Sequence, residues 1–462
     1  MKTDLDRVDK QLLSEKLLKV FDKNKSTNKL DDFFTQIADI FNQFDINLRL
    51  VDIKNPANVP KMFIADSVDI TNVNDILLIQ LTSLRDSVLS TAFIREIRNK
   101  YPDANIELIC EELFSDLYKN CPYVDRIIKF NSLNCQGISD ILKFLANNLW
   151  DIQYDLSINL NWDYNPNSVM LSVLSGSFNR VGYQSNVAGD LYYVNLNQNQ
   201  EQLIRKKMTD LFAYTHVLES PVDMFNDRER KLWILSKLNV PIKSNKLELW
   251  TDLEDLKYVE QFLQPDKRNI IINNTSKFLN RCYPVNQLIE AIDKIDNENN
   301  HYIIVGLKYS YMNDNMFFQD EISKLNSTNA TTLCEKLQDK NISFSSAIGK
   351  TTLSQLIALI SKSDLYLGIN TSLVNMTEAY NKPMIVLCQE AKKSEKRQTG
   401  YLSTYRRFKP ISDKCYILRP EKCLDNCGKY PIVGHCAAPY SHCITQISPE
   451  EIVNTYKEII NV

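Results

Sequence analysis

From residue 75 onward, short solid apolar runs alternate with stretches whose apolar residues recur at helical spacing. "ILLIQL", "NIELIC", "RIIKF" and "YDLSINL" have the character of strands buried on both faces, and "DSVLSTAFIREIRNK", "LFSDLYKN" and "ISDILKFLANNL" that of the helices between them. This alternation predicts a parallel sheet covered by helices. After "RVGY" the pattern turns helical, and "RERKLWILSKLNVP" leads into a second alternating block. There "NIIINN", "YIIVGL", "DLYLGIN" and "PMIVLC" read as strands, and "VNQLIEAIDKI", "LSQLIALISKS" and "LVNMTEAYN" as helices. Two Rossmann-like halves are expected, although no short internal repeat is visible. Residues 1 to about 50 look helical, with Leu12, Leu13, Leu17, Leu18 and Phe21 near helical spacing, and "DIKNPANVPK" reads as an extended connector. The divisions drawn are a helical extension and connector over 1–60, an N-terminal half over 61–240, a C-terminal half over 241–410 and a cysteine-rich segment with a final helix over 411–462.

Composition narrows the function classes. A chain of 462 residues exceeds one ordinary core, and 44% hydrophobic with 24% charged residues is the balance of a folded globular protein. The formal net charge of -3 gives no electrostatic case for nucleic acid as a partner. No apolar run reaches the ~18 residues a membrane span needs, and "MKTDLDRVDKQLLSEK" lacks the apolar centre of a signal peptide, so a cytoplasmic location is expected. Glycine is scarce, at ten residues, and neither G-x-G-x-x-G nor G-x-x-x-x-G-K-[ST] occurs, which disfavours a dinucleotide fingerprint or P-loop.

The first strand of the first block runs into Arg85 and Asp86. An acid there is explained by a helix N-terminus, where exposed N–H groups and the helix dipole favour negative charge. The sharper explanation is function, because open α/β sheets place ligands beyond the carboxyl ends of their strands.

The segment "ILLIQLTSLRDSVLSTAFIREIRNKYPDANIELI", followed by "CPYVDRII" and "YDLSINL", resembles the N-terminal half of family 9 glycosyltransferases, the bacterial heptosyltransferases, with their S-x-G-D, Y-P-x-A-x-I and N-P-x-V-D elements. "AIGKTTLSQLIALISKSDLYLGINTSLVNMTEAYNKPMIVL" is similar to their donor-site signature, G-K-T-x-L-x-E-L-A-x-L-I followed by D-[ST]-G-x-x-H-x-A-A-A-x-x-x-P. The resemblance spans about residues 75 to 390. It implies an α/β protein of GT-B architecture, two Rossmann-like domains facing a cleft, with the acceptor on the N-terminal half and a nucleotide sugar on the C-terminal half. It further implies inverting transfer of a sugar, often heptose from an ADP carrier, without catalytic metal or other catalytic cofactor. An acceptor hydroxyl attacks the anomeric carbon while a carboxylate takes its proton. Asp86 aligns with the family's catalytic aspartate.

This chain departs from the pattern in ways that bear on the ligands. Arg85 replaces the family's glycine on the acceptor side, where it alters the pocket or holds Asp86 ionised by proximity. Asn370 stands where an aspartate clasps the sugar, and Asn375 replaces a histidine; an amide still hydrogen-bonds but brings no charge. Thr371 and Ser372 follow at a strand-to-helix turn suited to a diphosphate. "NNTSKFLNRCYP" resembles the family's T-x-x-x-x-K-x-W-P loop, which puts Thr275 and Ser276 on the phosphate side and Arg281 at the lysine position, with Lys277 nearby.

Of eleven cysteines, six are scattered between Cys110 and Cys388 and five crowd between Cys415 and Cys443. Cys423, Cys427, Cys436 and Cys443, with His435 and His442 adjacent, suit a structural zinc or iron site, and free thiols or disulfides are the other readings. The subgroup of the family that heptosylates autotransporter adhesins carries a four-cysteine iron site, which this segment resembles. "KKSEKRQTGYLSTYRRFKP" is basic with interleaved aromatics and reads as a solvated loop or as a contact for an anionic acceptor or a membrane surface. The expected function is transfer of a heptose-type sugar to a lipopolysaccharide, surface-glycan or protein hydroxyl, with peripheral contact at the inner membrane and homo-oligomerisation left open. The rival is a catalytically degenerate relative that serves as a binding or assembly subunit.

Overall fold

The computed structural model describes residues 9–24, 30–48, 70–135, 137–162, 165–183, 214–218, 224, 226–276, 281–306, 320–392, 403–424 and 441–460. The chain forms two compact units. The first comprises residues 1–115, 121–222 and 228–245, and the second residues 116–120, 223–227 and 246–462.

The first unit begins with helices α1 (Lys10–Lys23) and α2 (Leu30–Asn42). Asp9 caps α1 by accepting the Leu12 N–H at 2.9 Å. Phe21 meets Phe33 edge-on at 5.1 Å, and Phe41 meets Trp150 at 6.3 Å. Leu13, Leu17, Phe21, Phe33, Ile37 and Phe41 are therefore part of the same core as Leu77, Ile79 and Leu142. Where the sequence separated an N-terminal extension, the apolar stripes of these helices are buried in the first unit, since an amphipathic helix must cover its stripe.

The sheet of this unit contains β1 (Asp75–Gln80), β2 (Asn105–Glu111), β3 (Arg126–Phe130), β4 (Leu156–Asn159), β5 (Asn179–Tyr183) and β6 (His216–Leu218). All neighbours are parallel and the order is β3-β2-β1-β4-β5-β6, with Ile76 opposite both Ile106 and Leu156. Its helices are α3 (Leu84–Leu89), α4 (Thr91–Lys100), α5 (Ile138–Asn148), α6 (Pro166–Leu174) and α7 (Asp227–Lys237), whose first residue counts with the second unit. "LFSDLYKN", expected as an α-helix, instead lies in a 3₁₀ segment, Glu112–Tyr118, the tighter form common in short connectors.

The second unit repeats the winding with β7 (Arg268–Asn273), β8 (Asn300–Val305), β9 (Phe344–Ser346), β10 (Leu365–Ile369), β11 (Met384–Leu387) and β12 (Cys415–Leu418). The order is β12-β11-β10-β7-β8-β9, again all parallel. Around it lie α8 (Leu253–Val259), α9 (Val285–Ile295), α10 (Asp320–Asp339), α11 (Leu353–Lys362), α12 (Ser372–Ala379), α13 (Thr404–Phe408) and α14 (Pro449–Ile460). Ile444, Ile447, Ile452 and Tyr456 from the C-terminal stretch share the core of β7 and β8. Strand order reverses between β1 and β4 in one sheet and between β7 and β10 in the other, and such switch points are where doubly wound sheets bind ligands.

Candidate active site

At the carboxyl end of β1, Ser83 opens α3. Its hydroxyl accepts the Asp86 N–H at 3.3 Å and donates to Asp86 Oδ2 at 2.6 Å. Ser83 is thus the cap, and Asp86 is an acid in the first turn of the helix, as its position allowed. It is also half-buried at a switch-point strand end, and Oδ1 has no protein donor among the described residues. Arg85, half-buried, stands beside it.

The turn carrying Asp86 is held from below. Asn161 accepts the Leu81 N–H at 3.0 Å, and the Asn165 amide donates to the Leu81 carbonyl at 2.8 Å. Gln80, fully buried at the end of β1, donates through Nε2 to the Thr82 hydroxyl and accepts at Oε1 from Ser90 at 2.5 Å and from Lys231 Nζ at 3.2 Å. Neither Gln80 nor Lys231 was singled out in the sequence. The one polar residue closing an otherwise apolar strand run was the available signal.

In the second unit Asn273 ends β7 in the same way. Its Oδ1 accepts from the Thr275 N–H at 3.3 Å and the Thr275 hydroxyl at 3.1 Å. Its Nδ2 donates to the Thr371 hydroxyl at 3.0 Å and to Tyr366 at 3.3 Å. Asn273 therefore joins the loop after β7 to the turn after β10, and brings Thr275 and Thr371 together. Gly368 permits this closeness, because a Cβ there would come within 2.4 Å of the Asn273 carbonyl oxygen. Asn274 closes the following loop by pairing with the backbone N–H and C=O of Tyr283, each at 2.7 Å.

Thr275, Ser276, Arg281, Asn370, Thr371 and Ser372 are all half-buried beyond the carboxyl ends of β7 and β10. Lys277 lies outside the described residues. Burial lowers the pKa of Arg281, and the thiols of Cys388 and Cys282 oppose the shift. Asn370 donates to that same Cys388 sulfur at 3.6 Å. Asn375 is fully buried, and its Nδ2 donates to the Phe408 carbonyl at 3.3 Å, so in this conformation it ties α12 to α13.

The basic stretch is partly structural. Arg407 forms a bidentate pair with the buried Asp227, the shortest contact being 2.8 Å, and Glu390 holds Ser403 at 2.5 Å. Arg419 lies over the Tyr405 ring at 3.9 Å. Residues 393–402 lie outside the described residues.

Of the four proposed metal ligands, Cys427 and Cys436 lie outside the described residues. Cys443 Sγ accepts the Leu424 N–H at 3.4 Å, which brings Cys443 beside the backbone that follows Cys423, and His442 Nδ1 is 3.4 Å from the same sulfur. Among the described residues no three His, Cys, Asp or Glu side chains form a metal-holding group. Cys415 belongs to β12, where burial pushes its thiol up to about 12. Ser441 donates to the Cys282 carbonyl at 2.7 Å, so this segment ends against the loop bearing Arg281.

Two units, each built on a 3-2-1-4-5-6 parallel sheet, have the fold of the GT-B class of glycosyltransferases. The family model for glycosyltransferase family 9 (heptosyltransferase) matches residues 144–397, more than half of the chain, and the protein belongs to that family. The lipopolysaccharide core heptosyltransferase OpsX of Haemophilus influenzae is 22% identical over 311 residues, covering 67% of this chain and 77% of that protein. Among solved structures, the family 9 glycosyl transferase from Veillonella parvula superposes with a TM-score of 0.63 at 14% identity, covering 86% of this chain and 99% of the other. The E. coli ADP-heptose LPS heptosyltransferase II superposes with 0.57 at 16% identity, covering 84% and 98%. No helix among the described residues is long and apolar enough to cross a membrane.

Proposed function

We propose that the protein is an inverting, metal-independent transferase that moves a heptose-type sugar from a nucleoside-diphosphate carrier, ADP-heptose-like, onto a hydroxyl of a lipopolysaccharide core, another surface glycan or a protein. The observation that carries this reading is Asp86, held at the end of β1 by Ser83 through Oδ2, with no protein donor to Oδ1 among the described residues. In the reaction the acceptor oxygen bonds to the anomeric carbon as Asp86 takes its proton, and the bond from that carbon to the diphosphate breaks with its electron pair leaving on phosphate oxygen. Arg281, Thr275, Ser276, Thr371 and Ser372 meet that growing charge, and a half-buried guanidinium is well suited to it. Asn370 reads the sugar hydroxyls. Cys423, Cys427, Cys436 and Cys443 hold one structural zinc or iron, a role compatible with the N–H that Leu424 gives to Cys443.

The departures at Asn370 and Asn375 favour a second reading, a relative that binds nucleotide sugar without turnover. Incubation with ADP-, GDP- and UDP-linked sugars, plus truncated lipopolysaccharide or peptide acceptors, separates the two when released nucleoside diphosphate is followed by mass spectrometry. Release dependent on an acceptor supports the transferase. A thermal shift without release supports the second reading, and a ligand at 100 times its Kd stabilises by about 2.7 kcal/mol. Absence of both overturns each of them.

A further inference from the structure

Lys231 is an ammonium group buried to 3% exposure within "RERKLW", yet it is directed at the polar end of β1. Its Nζ donates to the Leu160 carbonyl at 2.9 Å and to Gln80 Oε1 at 3.2 Å. The first contact fixes the loop after β4, and the second decides which way the Gln80 amide faces. A cation next to the side-chain oxygen forbids the flipped amide, which would turn an NH₂ toward an ammonium. With Oε1 so directed, Nε2 must face the Thr82 hydroxyl. Ser90 completes the frame. Its hydroxyl lies within hydrogen-bonding distance of Gln80 Oε1, at 2.5 Å, and of the Asp86 main-chain carbonyl, at 2.8 Å. Thr82 and Ser90 bracket α3, so the amide of one buried glutamine touches the chain on both sides of Asp86.

We propose that Lys231 is a positioning residue for this transferase. Through Gln80 it sets the height and angle of the turn that presents Asp86, and it holds that turn against the Leu160 loop. The proposal rests on the reading of Asp86 as the base. A misplacement of about 1 Å at a reacting group can cost on the order of 10²-fold in rate, so a support of this kind has kinetic weight without touching substrate.

The test is a double-mutant cycle in the full-length protein, with melting temperature and ADP affinity measured on every variant. Lys231→Met keeps the stem and removes the charge; Thr82→Val, at a half-buried position, removes the Nε2 partner and provides a second route should the lysine variant fail to fold. Each should lower kcat, by about 10-fold for Lys231→Met, with ADP affinity held within about 2-fold, and Lys231→Arg should recover part of the loss. On an Asp86→Asn background each should cost less than about 2-fold, because residues acting as one unit are non-additive. Losses that multiply on that background, or a folded Lys231→Met with unchanged kcat, would overturn the proposal. If Asp86→Asn alone turns over normally, the base assignment fails instead, and the single variants show this independently of the cycle.

Discussion

The two units end their first strands alike and equip those ends differently. Gln80 closes β1 and Asn273 closes β7, both buried, and each amide bonds a hydroxyl two residues onward, Thr82 or Thr275. At β1 the amide is fed by a cation, Lys231, and the turn it shapes carries a carboxylate. At β7 its other partners are the neutral hydroxyls of Thr371 and Tyr366, and the positive charge comes later in the loop, at Arg281. With the roles proposed for Asp86 and Arg281, one backbone plan supports a proton acceptor in one unit and an anion cradle in the other. The difference lies in where the charge is placed relative to a buried amide, not in the sheet.

The comparison would break most sharply at Asp86. Asp86→Asn should lower kcat by ~10²-fold or more with donor affinity nearly intact, since an amide cannot take the proton. Steady-state kinetics alongside calorimetry with ADP checks this, and a fully active variant would remove the functional contrast between the two strand ends. Next in size, Arg281→Ala should weaken ADP binding by about 10-fold and slow turnover together, as loss of a charge-assisted phosphate contact does. Unchanged diphosphate affinity would leave the second unit without its proposed anion cradle. Smaller again, Gly368→Ala would press a methyl group against the Asn273 carbonyl and should cost about 1–3 kcal/mol of stability by overpacking, seen as a lower melting temperature. A normal melting curve would mean that β7 and β10 separate easily and that Asn273 does not depend on their closeness.

Much of this architecture was legible because solid apolar runs such as "ILLIQL" and "NIIINN" leave a parallel strand as the economical reading, and Asp86 and Arg281 follow β1 and β7 at positions that the family pattern marks. The final residues of those runs were less visible. A single glutamine or asparagine in an apolar strand looks like tolerated noise until its partners are known. The burial of the charged run at α7 was invisible for a different reason. Asp227, Arg228, Arg230 and Lys231 are all buried, while Glu229 alone among them faces outward. Charge runs ordinarily mark solvated faces, and here their partners come from distant sequence: Arg407 for Asp227, the Trp162 ring at 4.1 Å for Arg230, and Gln80 for Lys231. Long-range pairing of this kind leaves no local periodicity to read. The packing of α1 and α2 was hidden likewise, since an amphipathic stripe does not name the surface it covers.

The smallest expected effect on turnover concerns the cysteine segment, and it asks whether the second strand end needs support from outside its sheet. Ser441 bonds the Cys282 carbonyl, one residue beyond Arg281, and Tyr283 donates to the Ile447 carbonyl at 2.6 Å. The described part of the segment therefore braces the loop that bears Arg281. If Cys423, Cys427, Cys436 and Cys443 hold a metal ion, freshly purified, reduced protein should carry about one zinc or iron per chain, and changing Cys423 and Cys443 together to Ser should lower the melting temperature because metal binding contributes directly to folding. ADP affinity should change far less than with Arg281→Ala, since four protein ligands would close the coordination sphere and leave no open position for substrate. Elemental analysis and melting curves before and after chelation decide the matter. A metal-free protein whose melting is indifferent to chelator would leave the hydrogen bonds of Ser441 and Tyr283 as the brace, and the anion cradle would then stand on the fold of the second unit alone.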